Sequence, residues 1–505
     1  MERNEPDGTP NPSLAENARF SEHHSADYYI DETPVWCDGT SIPQNIFTPM
    51  QWRIWWLATA GKFFEGMIVF MTGVSHILIA KEFGLTAFSM GFVTSATLFG
   101  ILVGAITLGG LSDHYGRRKM FIAEMIMFIF FLVILTFADS YLVIVISLFG
   151  LGLALGCDYP TAHMMISESM ASRMRGRLVL GAFSFQAVGI LVGTGLAFLV
   201  LSWYPSLEAW RYMYAAAIVP AILITIGRFY IPESAMWLLA KGRMPEAEKS
   251  ISQLLKRDPP YPSRFLLKSV ATAETNEKKI GELSSIKHLL QDKNSRKAIK
   301  LSSIPWFLQD LGTYGVGIFT PVILANVLGY ASPHAHSISE LIHNKVEAAK
   351  GAALIDVMLV VGVILAIIFV DRVGRIRLQV LGFLGCALGL LIAAYGESLN
   401  TSQQLPFIFG GLMLFNLMNN LGPNSQTYLI AGEVFPTRYR GAGAGLAASV
   451  SKFGGVAIAF FFPILLSDIG ASMLLNALAV TSLIGAVITW KYRIEMTGKS
   501  LDDVG

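Results

Sequence analysis

The sequence predicts an all-α membrane protein, with twelve transmembrane helices in two pseudo-symmetric six-helix bundles, and three observations lead there. Hydrophobic residues make up 53% of the 505 residues and charged ones only 15%. The apolar residues gather in runs of about 20, the length at which a helix crosses a bilayer. A long polar stretch from about Pro232 to Lys300 divides these runs six and six. Finally, the two sides repeat one charge pattern. Asp113 is followed at three and four residues by Gly116 and Arg117, and Asp371 by Gly374 and Arg375 in the same register. Glu168 precedes Arg173, Arg175 and Gly176 at the intervals at which Glu433 precedes Arg438, Arg440 and Gly441. A duplicated bundle of this kind is expected to hold its substrate between the halves, near the bilayer midplane.

In chain order, residues 1–48 are polar, lack a basic n-region with a short apolar core, and are expected to form a disordered cytoplasmic tail without a signal peptide. Residues 49–231 form the first bundle, with spans beginning near Arg53, Thr86, Met120, Tyr141, Arg177 and Trp210. Residues 232–299 form a cytoplasmic central loop, in which MPEAEKSISQLLK has the spacing of an amphipathic helix lying on the cytoplasmic face. Residues 300–492 form the second bundle, with spans from near Lys300, Gly351, Leu378, Leu405, Gly441 and Ala471, and 493–505 form a cytoplasmic tail.

Basic clusters follow the even spans: Arg117, Arg118 and Lys119; Arg173, Arg175 and Arg177; Arg372, Arg375 and Arg377; Arg438 and Arg440. By the positive-inside rule this predicts cytoplasmic termini in a plasma membrane or bacterial inner membrane. Cys37, Cys157 and Cys386 are too scattered for a disulfide framework or metal cluster. No Walker loop, nucleophile motif or metal-ligand spacing appears, so the expectation is a monomeric carrier and not an enzyme, with no cofactor, no metal and no nucleic acid. Its partners are the lipid bilayer, a small-molecule substrate and protons.

The ionisable residues inside the spans are the candidate machinery. Glu65, Asp158, Asp310 and Lys452 lie deep in apolar runs, where a charge costs about 2.5–3.5 kcal/mol on insertion scales. Asp158, in GCDYPTAHMMISE, is the residue around which the chain is expected to be organised, and Asp158 and Glu65 are the candidate proton carriers. Glu65 could instead pair with Lys62, three residues earlier on the same face. Lys452, in SVSKFGG, is expected either to attract an anion or to pair permanently with Asp158 or Asp310. Trp306, Asp310 and Tyr314, spaced four apart, share one helix face. Gly422 and Pro423 should break the tenth span beside Asn424. His163, one turn after Tyr159, could join a proton relay or pack between helices. Asp113 with Arg117 and Asp371 with Arg375 are expected to act as gating pairs, and Glu168 with Arg175 and Glu433 with Arg440 to complete a network across both halves.

Several of these stretches carry a resemblance. GLSDHYGRRKM and its weaker copy DRVGRIR resemble the loop signature of the major facilitator superfamily, and PESAMWLLAKGRMPEAEKSI and EMTGKSL resemble segments of its sugar-porter branch. GCDYPTAHMMISE, IPWFLQDLGTYGVGIF and NNLGPNSQTYLIAGEVFPTRYRG are similar to motifs of the proton-coupled inorganic phosphate symporters. That resemblance implies proton symport of a small anion such as phosphate by alternating access, with Tyr159, Gln186, Trp306, Asp310, Tyr314, Asn424 and Lys452 around the substrate. The chain departs from the symporter pattern in span one, where KFFEGMIVF stands in place of an Asp pair. Sugar, polyol or organic acid transport is the alternative, and a transporter-like nutrient sensor ranks below both.

Overall fold

The computed structural model describes residues 25–31, 47–108, 111–256, 267, 282–327, 338–399, 401–435 and 439–494, apart from some side chains at the margins. Among these residues, eleven helices are long and apolar enough to cross a membrane. The last of them is two spans, because Gly470 sits at φ 77° and ψ 168° and turns the chain. A glycine alone adopts that conformation without strain.

The twelve spans are one, Pro49–Phe83; two, Ala87–Thr107; three, Arg117–Thr136; four, Tyr141–Ser169; five, Ser172–Trp203; and six, Ala209–Ala215 continued by Ile218–Phe229. Seven is Lys293–Val327; eight, Ile338–Val373; nine, Arg375–Glu397; ten, Thr401–Leu421 continued by Pro423–Glu433; eleven, 440–469; and twelve, 471–491. Span ten breaks at Gly422 (φ −111°, ψ −100°). The expectation from Gly422 and Pro423 therefore holds.

The packing repeats as the charge pattern does. Spans one and five, two and four, three and six pack in the first half; seven and eleven, eight and ten, nine and twelve pack in the second. The repeated motif also keeps its conformation: Gly116 and Gly374 start spans three and nine at φ 108°, ψ 150° and φ 92°, ψ 152°. Side chains turned away from both bundles are large and apolar, as with Ile126, Phe130 and Val133 on span three and Val219, Leu223 and Ile226 on span six. That face suits lipid, where no polar group need be satisfied.

Span six and the 232–299 linker leave the bundle on the side from which span one enters. On the opposite side the halves are closed against each other. There Thr94 on span two donates to the Ala459 carbonyl on span eleven at 2.6 Å, and His76 on span one meets Phe319 on span seven edge-on at 5.6 Å. Spans five and eight also pack together.

Two expectations about the polar segments need correction. Within 1–48, the stretch Ala26–Asp31 is helical and buries Ala26, Tyr29 and Ile30. Its anchor is Asp31, whose carboxylate accepts from the Ser172 backbone at 2.6 Å and hydroxyl at 2.7 Å, capping the otherwise unpaired start of span five. The amphipathic helix of the linker forms over Met244–Leu254, but its apolar face is covered by protein. Ala247, Ile251 and Leu254 are buried, and the Leu254 carbonyl accepts from Thr48, the cap of span one, at 2.6 Å.

The charged motif copies pair within their own halves. Arg117 bonds Asp113 at 2.5 Å and Glu168 at 3.2 Å, and Arg375 grips Glu433 at 2.9 and 3.0 Å. The expected Glu168–Arg175 pair is absent: Arg117, at the start of span three, reaches Glu168 at the end of span four, and Arg175 faces Asp27 at 3.3 Å. Glu433 is likewise held by Arg375. The side chains of Asp371 and Arg440 lie outside the described residues.

Candidate functional site

Two clusters of buried charge lie between the closed side and the linker side. The first is contained in the N-terminal half. Arg228, on span six, is fully buried and donates to Glu124 of span three at 2.8 Å and to Asp158 of span four at 2.6 Å. It also donates to the Phe121 and Leu57 carbonyls at 2.5 and 3.2 Å, while its Nε–H is buried without a partner, and the guanidinium stacks over the Phe121 ring at 3.4 Å. The backbone accommodates the cluster: a Cβ on Gly61 of span one would stand 1.5 Å from Asp158 Oδ2. Two carboxylates share one guanidinium here, and Glu124 Oε2 has no hydrogen-bond partner. With both acids ionised the cluster would carry one uncompensated negative charge in a dry interior, so the arrangement has room for one proton.

The second cluster bridges the halves. Glu65 is held by Lys62 on its own span and accepts from Gln186 of span five at 3.3 Å. From the C-terminal half, Tyr314 donates to Glu65 at 3.3 Å, and Lys452 stands 3.5 Å from it. Lys452 also bonds the Tyr314 hydroxyl at 2.6 Å and lies 3.8 Å from Asp310, which accepts from Ser451 at 2.6 Å. Both carboxylates are deeply buried, whereas Lys62 and Lys452 keep 12% and 16% of their side-chain surface exposed. Lys62 and Lys452 are therefore the more accessible charged residues of the cluster.

An aromatic cage closes the cluster toward the linker side. Lys62 lies 4.2 Å over the Tyr159 ring, Phe183 stacks on Tyr428 at 4.6 Å, and Trp306 meets Tyr428 edge-on at 6.3 Å. Beside it, Gln309 donates to Asn424 at 3.2 Å and Asn424 to Asn420 at 2.6 Å, while Asn419 donates to Thr313 at 2.8 Å. This amide network begins where span ten breaks. Gln309 Oε1 remains buried and unpartnered.

Of the residues singled out in the sequence, Glu65, Gln186, Asp310, Tyr314 and Lys452 converge directly, with Tyr159, Trp306 and Asn424 in the surrounding cage and network. Asp158 stands apart, and its partner is Arg228 instead of Lys452. Lys452 pairs with Glu65 and Asp310, so the permanent partner weighed on span four is not the one found. Glu65 makes the expected pair with Lys62 and also reaches Tyr314 and Lys452 of the opposite half. His163 is exposed and joins neither cluster. Sequence reasoning passed over Glu124, the near-neighbour acid in an apolar span, and gave Lys62 only a local role.

A symmetric pair of six-helix halves, closed on one side around a polar cluster at their interface, is the architecture of a secondary transporter. The profile described as "Sugar (and other) transporter" matches residues 17–505; the chain belongs to this family. Among its curated relatives, the inner membrane metabolite transport protein YgcS of Escherichia coli is 27% identical over 469 residues, covering 92% of this chain and 95% of the relative. The major myo-inositol transporter IolT of Bacillus subtilis is 28% identical over 442 residues, covering 84% and 86%. In three dimensions the chain matches the partially occluded inward-open form of the xylose transporter XylE of Escherichia coli with a TM-score of 0.69 at 20% identity, over 90% of this chain and 100% of that one. The protein is thus a membrane transporter of the major facilitator fold and not an enzyme. The resemblance to the phosphate-symporter branch gives way to the sugar-porter branch, and inorganic phosphate finds no support.

Proposed function

We propose that the protein couples the downhill entry of a proton to the movement of a small polyhydroxylated metabolite, a sugar or a polyol, by alternating access. The observation that carries this reading is the interfacial cluster in which Lys62 and Lys452 are balanced by Glu65 and Asp310. Two cations matched to two carboxylates make a site without a strong charge preference, dense in donors and acceptors and walled by aromatic rings. Hydroxyl groups can enter such a set of hydrogen bonds without adding charge to a low-dielectric interior. The family, and relatives named for myo-inositol and xylose, support the same class. A sugar acid is the second reading, favoured by the two lysines, which are less buried than the acids they pair with.

The proton site of this proposal is the Glu124–Arg228–Asp158 cluster. Loading a proton leaves one carboxylate on Arg228 and one neutral acid, and releasing it restores the charge that must find water or a rearranged partner. Span one links the two clusters, because Gly61 touches Asp158 while Lys62 and Glu65 hold the interface. Substrate binding that moves Lys62 therefore moves the backbone packed against Asp158. In this arrangement the linker side is the cytoplasmic side.

The test is uptake of radiolabelled myo-inositol, glucose and xylose into proteoliposomes, with and without an inward proton gradient, against gluconate and phosphate as competitors. Gradient-stimulated uptake of a neutral substrate supports the reading. Uptake abolished by gluconate and indifferent to neutral competitors selects the sugar acid. Uptake of phosphate alone would overturn both.

A further inference from the structure

Asp356 belongs to neither charge cluster. It lies in span eight, the most apolar of the spans, with 1% of its surface exposed. Its polar neighbours are Asn416 of span ten, which donates to Asp356 Oδ1 at 3.1 Å, and Thr194 of span five, from the opposite half. The Thr194 hydroxyl also lies 3.0 Å from the Ile190 carbonyl and 3.3 Å from the Leu191 carbonyl of its own helix. Both partners are neutral, an amide from its own half and a hydroxyl from the other.

Among the described residues no cation faces Asp356 from spans five, seven, nine or ten, which pack around span eight. Of the ionisable groups on those spans, Asp310 and Tyr314 belong to the Lys452 cluster, Arg375 bonds Glu433, Arg175 faces Asp27 and Lys300 lies over the Tyr492 ring. On its own span, Lys350 pairs with Glu347 at 3.8 Å. An isolated ionised carboxylate in such a place neutralises itself by taking a proton.

We propose that Asp356 is a proton-operated latch between the two halves, protonated while spans five and eight are closed together and ionised when they part and water reaches it. The inference rests on the alternating-access reading above, but not on the substrate or on the Asp158 cluster. Spans five and eight are the symmetry counterpart of spans two and eleven, and the two pairs together shut the side opposite the linker. Opening that side would release one proton from Asp356. Acid on that side then holds the carrier shut, and the open-to-closed ratio rises up to tenfold for each pH unit.

The experiment places spin labels on cysteines introduced at Trp203, at the end of span five, and Lys350, near the start of span eight, both exposed. Cys37, Cys157 and Cys386 are replaced beforehand, and distance distributions are read in lipid nanodiscs from about pH 5 to 8. The expected result is two distances whose ratio shifts toward the longer as pH rises. Asp356→Asn, which keeps the shape and cannot ionise, is expected to abolish that shift, and Asp356→Glu to retain it. A shift of the native size in Asp356→Asn overturns the latch while leaving alternating access intact. A single distance at every pH overturns both. If Asp356→Asn does not fold, the infrared carbonyl band of a protonated carboxyl decides in the otherwise native protein: it must be present at low pH and move on Asp356→Glu, and its failure to move overturns the proposal.

Discussion

The two charge clusters use the same residue types in opposite ways. Around Arg228 every partner lies in one half, the cation is fully buried, and the carboxylates outnumber it two to one. Around Lys452 the partners come from both halves, the cations reach the surface of the site, and charges balance. A cluster sealed within one rigid body can change only its protonation, because its geometry is fixed by packing. A cluster shared between bodies that move can change its partners. The contrast assigns coupling to the first and substrate binding to the second within the proposed mechanism.

The largest test removes the sealed cation. Arg228→Met leaves Asp158 and Glu124 buried and unpaired, and a loss of about 3–5 kcal/mol is expected, read as a fall in the thermal unfolding midpoint in detergent. Adding Asp158→Asn and Glu124→Gln to Arg228→Met removes the orphaned charges and is expected to recover most of the folded protein without restoring uphill transport. Failure to recover it would show that the cluster is held by shape and not by charge.

Neutralising one acid should separate coupling from translocation. Glu124→Gln and Asp158→Asn are each expected to abolish gradient-driven accumulation while counterflow of substrate persists. Retention of uphill accumulation in both variants would remove the cluster from the coupling step. Lys452→Ala is expected to do the reverse, lowering apparent affinity by tenfold or more, about 1.4 kcal/mol or greater. Stability is expected to fall as well, since Glu65 keeps Lys62 but buried Asp310 loses its cation.

A backbone test lies between the clusters. Gly61→Ala drives a methyl group into Asp158 and is expected to cost about 1–3 kcal/mol through overpacking, with coupling impaired more than substrate affinity. The smallest effect belongs to the partly buried motif pair. Arg375→Ala should cost about 1 kcal/mol or less in the folded state, measured against Arg228→Met under the same detergent conditions, because its partner Glu433 can turn toward water.

The sequence by itself determined the membrane class, the twelve spans and the duplication. These follow from run length and from motif spacing, which are properties of the chain taken a few residues at a time. The break beside Asn424 and the shared face of Asp310 and Tyr314 were legible for the same reason. Ion-pair partners were not. Arg228 meets Asp158 across 70 positions and Lys452 meets Glu65 across 387, and nothing local marks which of several buried acids a given cation will reach. The short helix Ala26–Asp31 was hidden likewise, since its order comes from capping span five, 141 positions away. Only the tertiary structure decided that one cluster is sealed and the other shared, because that depends on which rigid half carries each side chain.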